Sequence, residues 1–269
     1  MIAHDLISTA QNPKVKRLLA LQQKASERRE CDLFVVEGRR ELQHCIDAGL
    51  TVDTIFFCPS LMGGAEAVGT LPEDVRCCEV TPEVYARIAY RSGTEGVVAE
   101  VKTRLLGLQD LQLPEQPLIV VLESVEKPGN LGAVLRSADA ARVDAVVVCD
   151  PLTDLFNPNL IRSSVGAVFT VPCVACSTLE CIDFLKDSGI QILTAQLQDS
   201  NLYYDTDMTC GTAIVMGTEA TGLTDTWRRA ADAHIRIPML GQLDSLNVSV
   251  SAAILMFEAV RQRSLTTRQ

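Results

Sequence analysis

The stretch LIVVLESVEKPGNLGAVLRSADA, residues 118–140, sets the architecture. It opens on an uninterrupted apolar run, Leu118 to Leu122. A strand covered on both faces, as in a parallel sheet, has this composition. A glycine-bearing turn follows, then a helix expected from about Asn130. In an open parallel sheet, ligands collect beyond the carboxyl ends of such strands.

The same alternation continues downstream. DAVVVC (144–149) reads as a strand, Asn157-Pro158 opens a short helix, and AVFTVP (167–172) reads as another strand. STLECIDFLKDSG (177–189) is a helix with a Ser177/Glu180 capping box and a terminal Gly189. IQILTAQ (190–196), TAIVMG (212–217) and HIRIP (234–238) are strands, and a long helix follows. Upstream lies a smaller α/β module. Asn12-Pro13 starts a helix through about Arg29. Strands LFVVEG, VDTIFFCP, residues 75–80 and GVVAEV alternate with helices over 39–49, near 60–68 and from Pro82. The expected layout is therefore a module over 1–102, a linker over 103–117 closing on two prolines, and an α/β domain over 118–269, its mostly parallel sheet flanked by helices.

Composition narrows the function classes. The 269 residues are 47% hydrophobic, and no apolar run reaches the roughly 20 residues that span a bilayer. The first segment has no apolar signal core, so a cytoplasmic protein is expected. Ten cysteines are scattered through the chain; Cys173, Cys176 and Cys181 lie closest in sequence. One CxxC with neither a second pair nor a nearby His does not complete a zinc set, so buried thiols and no metal are expected. The net charge of −10 is uneven: residues 14–40 hold eight Lys/Arg against four Asp/Glu, a local +4. Such a concentration permits contact with a polyanion, although a charge run on a helix is also what a solvated face looks like.

Three loops carry the polar chemistry. EKPGNLGAVLRSADA (126–140) places Asn130 and Arg136 after a GxxG turn that lacks a full GxGxxG. Alone it is a tight connection with a cap at Asn130 and a solvated Arg136. VMGTEATGL (215–223) has GxxxxG spacing, but Leu223 stands where a phosphate loop needs Lys, which excludes an NTPase and leaves Glu219 presented between glycines. GQLDSLNVSVSAAILMFEAVR (241–261) enters a helix through Ser245 and Asn247, two polar groups where one would cap.

Taken together and in this order, PGNLGAVLRSADA, IVMGTEATGL and IPMLGQLDSLNVSVSAAILMFEAV resemble the three motifs of the SpoU/TrmH-type branch of the SPOUT RNA methyltransferases. The resemblance spans about residues 118–263, including NPNLIRSSVGAVF. FVVEGRREL and GTEGVVAEV are similar to the ribosomal-protein-like RNA-binding domain fused ahead of such enzymes. Thr218 departs from the Asn or Ser usual at its position.

The resemblance implies a trefoil-knotted sheet and transfer of a methyl group from S-adenosylmethionine to a ribose 2′-hydroxyl. Ribosomal RNA is the expected substrate, ahead of transfer RNA; a catalytically silent RNA-binding protein of the same fold is the alternative. It also implies a homodimer, with motif one of one subunit completing the partner's site. Asn130, Arg136, Glu219, Ser245 and Asn247 would then be catalytic, and Thr194, Ala195, Gly217, Ile237 and Leu246 would hold the cofactor. Arg162, Lys14, Lys16, Arg39 and Arg40 would contact RNA. A guanidinium is too basic to take the hydroxyl proton, so Arg136 is expected to clamp phosphate and stabilise the alkoxide.

Overall fold

A computed structural model describes residues 5–62, 75–90, 95–218 and 221–266. The chain divides into two compact units, one of Met1–Arg104 with Phe156–Phe169, the other of Leu105–Leu155 with Thr170–Gln269. No helix among the described residues is long and apolar enough to cross a membrane.

The first unit starts with β1 (Asp5–Ile7), α1 (Pro13–Gln23), α2 (Ala25–Cys31), β2 (Leu33–Glu37), α3 (Arg39–Asp47), β3 (Val52–Phe57), β4 (Arg76–Val80), α4 (Pro82–Ile88) and β5 (Val97–Lys102). Its sheet has the order β1-β4-β3-β5-β2, with β5 antiparallel to both neighbours. Strand periodicity sorts β2 between two cores. Leu33 and Val35 join Leu18, Leu21, Val84 and Tyr85 on one face. Phe34 and Val36 join Leu42, Ile55 and Ile161 on the other. The single helix expected to Arg29 is two, because Lys24 adopts extended backbone between them. Of the helix expected near 60–68, only a 3-10 turn at Pro59–Leu61 falls in the described part; residues 63–68 lie outside the described residues.

The second unit contains β6 (Leu118–Glu123), α5 (Pro128–Ala140) and β7 (Ala145–Cys149). The chain then contributes α6 (Pro158–Ser164) and α7 (Ala167–Thr170), which lie in the segment that packs with the first unit. It returns as β8 (Cys173–Cys176), α8 (Thr178–Asp187), β9 (Gln191–Ala195), β10 (Asn201–Leu202), β11 (Thr212–Met216), α9 (Asp225–Ala230), β12 (Ala233–Arg236) and α10 (Val248–Thr266). The sheet order is β10-β12-β9-β11-β6-β7-β8, and every pairing is parallel. β6 is buried throughout, as its composition requires. Ile119 and Val121 face a core with Cys181, Leu185 and Trp227 from α8 and α9. α10 packs on α5, β6 and β11, and buries Ala252, Leu255, Met256 and Ala259, the i, i+3, i+4, i+7 stripe of one helical face.

Residues 167–172 were expected as a strand; Ala167–Thr170 is helical and β8 begins at Cys173. Val165 and Gly166 both take left-handed backbone and turn the chain. Phe169 then stacks on Phe34, with ring centroids 5.7 Å apart. Tertiary packing of an apolar face has overridden the β-propensity of Val168 and Phe169. The Ser177/Glu180 capping box and the left-handed Gly189 form as expected.

Candidate active site

Because all strands of the second sheet are parallel, their carboxyl ends share one edge. The order β12-β9-β11-β6 sets side by side the ends that lead to Ile237, Gln196, Gly217 and Ser124. The chain leaves β6 toward β7 on one side, whereas β11 lies on the other. This is a topological switch point, where α/β sheets open a crevice. The 237–247 segment joins β12, beyond β9, to α10, on β11 and β6, and so brings the third motif back to the first two.

Asn247 resolves the double entry into α10. Its Oδ1 accepts the Ser249 backbone N–H at 3.0 Å and the Ser249 hydroxyl at 2.6 Å, so Asn247 is the N-cap. Its Nδ2 donates to Asn130 Oδ1 at 3.2 Å. One amide therefore caps the last helix and ties the third motif to the first. Ser245 is exposed in the preceding loop, with Leu246 beside it. α5 begins at Pro128, which places Asn130 inside its first turn rather than at its cap.

Arg136 is exposed on α5 and has no ion pair among the described residues. Six residues at about 100° each put it roughly 120° around the helix from Asn130. The two side chains leave α5 in different directions, and Asn130 reaches Asn247 instead.

The second motif forms a tight turn. Thr218 and Gly222 pair through backbone hydrogen bonds of 3.3 and 3.1 Å. The Thr218 hydroxyl accepts the Thr221 N–H at 3.0 Å, so threonine closes the turn. A β-carbon on Gly217 would fall inside the backbone of Gly222, which explains the glycine. Glu219 lies outside the described residues. Beneath the turn, the buried Glu123 carboxylate accepts the Thr224 N–H at 2.9 Å and its hydroxyl at 2.7 Å. Glu123 was not singled out in the sequence; the signal was a carboxylate ending an otherwise apolar strand.

Thr194 is fully buried, with its hydroxyl 2.6 Å from His234 Nδ1, so its side chain braces β9 against β12. Ala195 and Ile237 are half-buried at the strand ends. Next to Ala195, the Gln196 side-chain oxygen is buried without a hydrogen-bond partner. A buried acceptor left open just past the end of β9, in the row of strand ends that includes those leading to Ile237 and Gly217, suits a ligand with both an N–H donor and an apolar body. An adenosyl group has that chemistry, so these residues fit S-adenosylmethionine.

The basic tract of the first unit is partly consumed by structure. Arg17 pairs with the buried Glu100 and lies 3.6 Å from Asp53. Arg28 is buried and donates to the Leu21 carbonyl at 2.5 Å. Arg39 donates to the Met62 carbonyl. Lys14 pairs with Asp5 at 2.8 Å, and Arg40 lies 3.6 Å from Glu41. Lys16 and Arg29 remain exposed. In the same unit, Arg162 lies over the ring of Tyr90, 5.7 Å from its centroid, and the Tyr90 hydroxyl donates to Asn159 at 2.9 Å. Tyr90 was missed in the sequence because a lone aromatic in a loop carries no pattern.

Residues 117–257 match the SpoU rRNA Methylase family, and residues 12–99 match the MRM3-like substrate binding domain. The 23S rRNA (guanosine(2553)-2'-O)-methyltransferase RlmP of Bacillus subtilis is 28% identical, over 93% of this chain and 97% of its own. The 23S rRNA (guanosine-2'-O-)-methyltransferase RlmB of Vibrio cholerae is 39% identical, over 63% of this chain and 71% of its own. A crystal structure of an AdoMet-bound rRNA methyltransferase from Sinorhizobium meliloti superposes with a TM-score of 0.86 at 31% identity, covering 96% of this chain and 97% of that one. With the three motifs gathered on one sheet edge, these matches place the chain in the SpoU rRNA methylase family.

Proposed function

We infer that the protein is an S-adenosylmethionine-dependent methyltransferase acting on a ribose 2′-hydroxyl of ribosomal RNA. The observation that carries this reading is the meeting of Asn130 and Asn247, which joins the first motif to the third, in a chain matched by the SpoU family over residues 117–257. When bound, S-adenosylmethionine supplies an electrophilic methyl group on its sulfonium.

The chain's own residues position and polarise. Gly217, Ile237 and Leu246 hold the cofactor through main-chain groups and apolar contact, Thr194 stiffens the pocket wall, and Ala195 lines it. Asn130, held by Asn247, orients the ribose, with Ser245 ordering the loop. Arg136, permanently cationic, clamps the adjacent phosphate and stabilises the alkoxide as it forms. Glu219 or a phosphate oxygen takes the hydroxyl proton. Such positioning can supply roughly 7–11 kcal/mol of the barrier.

The assembly we propose is a homodimer with a trefoil-knotted second unit. Leu240 and Leu243 are 95% and 79% exposed, and Val250 and Phe257 line an outer face of α10, an apolar surface that a second copy would cover. The divergence of Arg136 from Asn130 around α5 suits an arginine lent to the partner's site. Residues 1–102 select RNA through Lys14, Lys16, Arg40 and, from the 156–169 segment, Arg162, with Arg39 held back by the Met62 carbonyl; the 118–269 region carries the chemistry. The protein would work in the cytoplasm.

Mapping ribose methylation in ribosomal RNA from cells with and without the protein tests this. One lost 2′-O-methyl mark is expected. An unchanged map, together with no binding of S-adenosylmethionine to the pure protein, would overturn it.

A further inference from the structure

The sequence puts Cys173, Cys176 and Cys181 together, but the fold assembles a different trio. Cys149 ends β7 and Cys176 ends β8, and the two are register partners on adjacent strands. Cys181 lies in the first turns of α8 and shares their core. The three sulfur atoms all lie within 4.8 Å of one another. Cys149 and Cys181 are buried, whereas Cys176 is partly open to solvent. Cys173 points elsewhere in the sheet's alternation and takes no part.

We propose that Cys149, Cys176 and Cys181 form a site for a single zinc(II) ion that staples β7, β8 and α8 together. A tetrahedral zinc–thiolate site has Zn–S bonds of about 2.3 Å and hence sulfur–sulfur separations of about 3.8 Å. The trio reaches this with shifts of about 1 Å or less, which side-chain rotation supplies. A multinuclear iron–sulfur cluster needs wider spacing. The partly open Cys176 gives the ion its way in.

The surroundings favour zinc over copper(I). Asp150 follows Cys149, and its backbone N–H donates to the Cys176 carbonyl at 2.9 Å. Its exposed carboxylate lies at the start of α8, 3.3 Å from the Thr178 nitrogen. The Asp150 carboxylate is not among the mutually close ligand atoms, so a water reaching the partly open Cys176 completes a mixed donor set that suits zinc, whereas copper(I) prefers sulfur alone. Ligation breaks three S–H bonds, forms three Zn–S bonds and releases three protons to solvent, with no change in oxidation state. The amino-terminal end of α8, with its positive dipole, helps to hold the resulting negative charge.

The test uses the full chain, reduced and stripped with a chelator, then titrated with cobalt(II) and zinc(II). One equivalent of cobalt should produce a sulfur-to-metal charge-transfer band and visible bands of tetrahedral intensity. One equivalent of zinc should abolish them and raise the melting temperature. Cys176→Ser, at the partly open position, should weaken zinc by at least about 100-fold, whereas exposed Cys210→Ser should not change it. Folded wild-type protein without the cobalt–sulfur band would overturn the proposal. So would unchanged zinc affinity in Cys176→Ser, or binding of copper(I) with none of zinc. The readout is metal binding, so it stands or falls separately from RNA methylation.

Discussion

Asn247 performs two jobs that substitution can separate. Asn247→Ala removes the cap on the Ser249 N–H and the bond to Asn130 together. Losing an Asn cap costs about 1 kcal/mol. The Asn130 bond is solvent-exposed, so its loss adds only about 0.5 kcal/mol, the low end for a hydrogen bond. At about 2–4 °C per kcal/mol for a unit of this size, the combined effect is a fall of about 3–6 °C in Tm. Asn247→Ser keeps an oxygen able to cap the helix but is too short to reach Asn130, so it should cost only the smaller share, about 1–2 °C. Both variants should lose methylation rate, because both remove the Asn247 bond that orients Asn130. Calorimetric melts and single-turnover methylation on the same preparations read the two effects. Crossing each variant with Asn130→Ala should show coupling of about 0.5 kcal/mol for the pair. If Asn247→Ser melts as low as Asn247→Ala, or if the effects of Asn130→Ala and Asn247→Ala simply add, the dual role is refuted.

Arg136→Ala should lower turnover by at least about 100-fold while cofactor affinity stays within about twofold, as for removal of a group that stabilises developing charge; parallel loss of cofactor binding, read by calorimetry, would contradict this. Gly217→Ala should cost about 1–3 kcal/mol and weaken the cofactor, because its β-carbon enters the Gly222 backbone; an unchanged melt and titration would refute the steric account. Lys16→Ala should reduce the salt slope of RNA binding by about 1. Arg28→Ala should leave that slope alone and cost about 1–3 kcal/mol in stability, since the buried Leu21 carbonyl loses its donor; filter binding across a salt series, with urea melts, distinguishes the two.

The parallel sheet was legible because β6, β7 and β11 each carry an unbroken apolar run, Leu118–Leu122, Ala145–Cys149 and Ala213–Met216, a composition with few other uses. Helix ends were legible where a local chemical rule acts, as in the Ser177/Glu180 box and at Gly189. Reading failed where distant packing decides. The Val168–Phe169 pair has strand composition, yet Phe34, far away in sequence, supplies the ring against which Phe169 stacks. The charge of residues 14–40 suggested one basic surface, but Arg17, Arg28 and Arg39 point at acceptors whose positions only the fold reveals. Of the polar pair Ser245 and Asn247, sequence could show that two groups flank the helix entry, but not that one amide would serve both ends of its own reach. Cys149 was invisible as a neighbour of Cys176, since parallel register, not spacing, brings them together.

The excursion of residues 156–169 makes the chain hard to cut. The front unit is closed by Phe156, Ile161, Val168 and Phe169, residues encoded well after the joint at 104/105. A truncation that discards the front would strip these side chains of their cover and leave a greasy flap on what remains. A front module borrowed from another protein would have to accept the same flap. Recombination at a single seam is therefore penalised, and exchange of RNA-recognition modules in such a gene would require two splices rather than one.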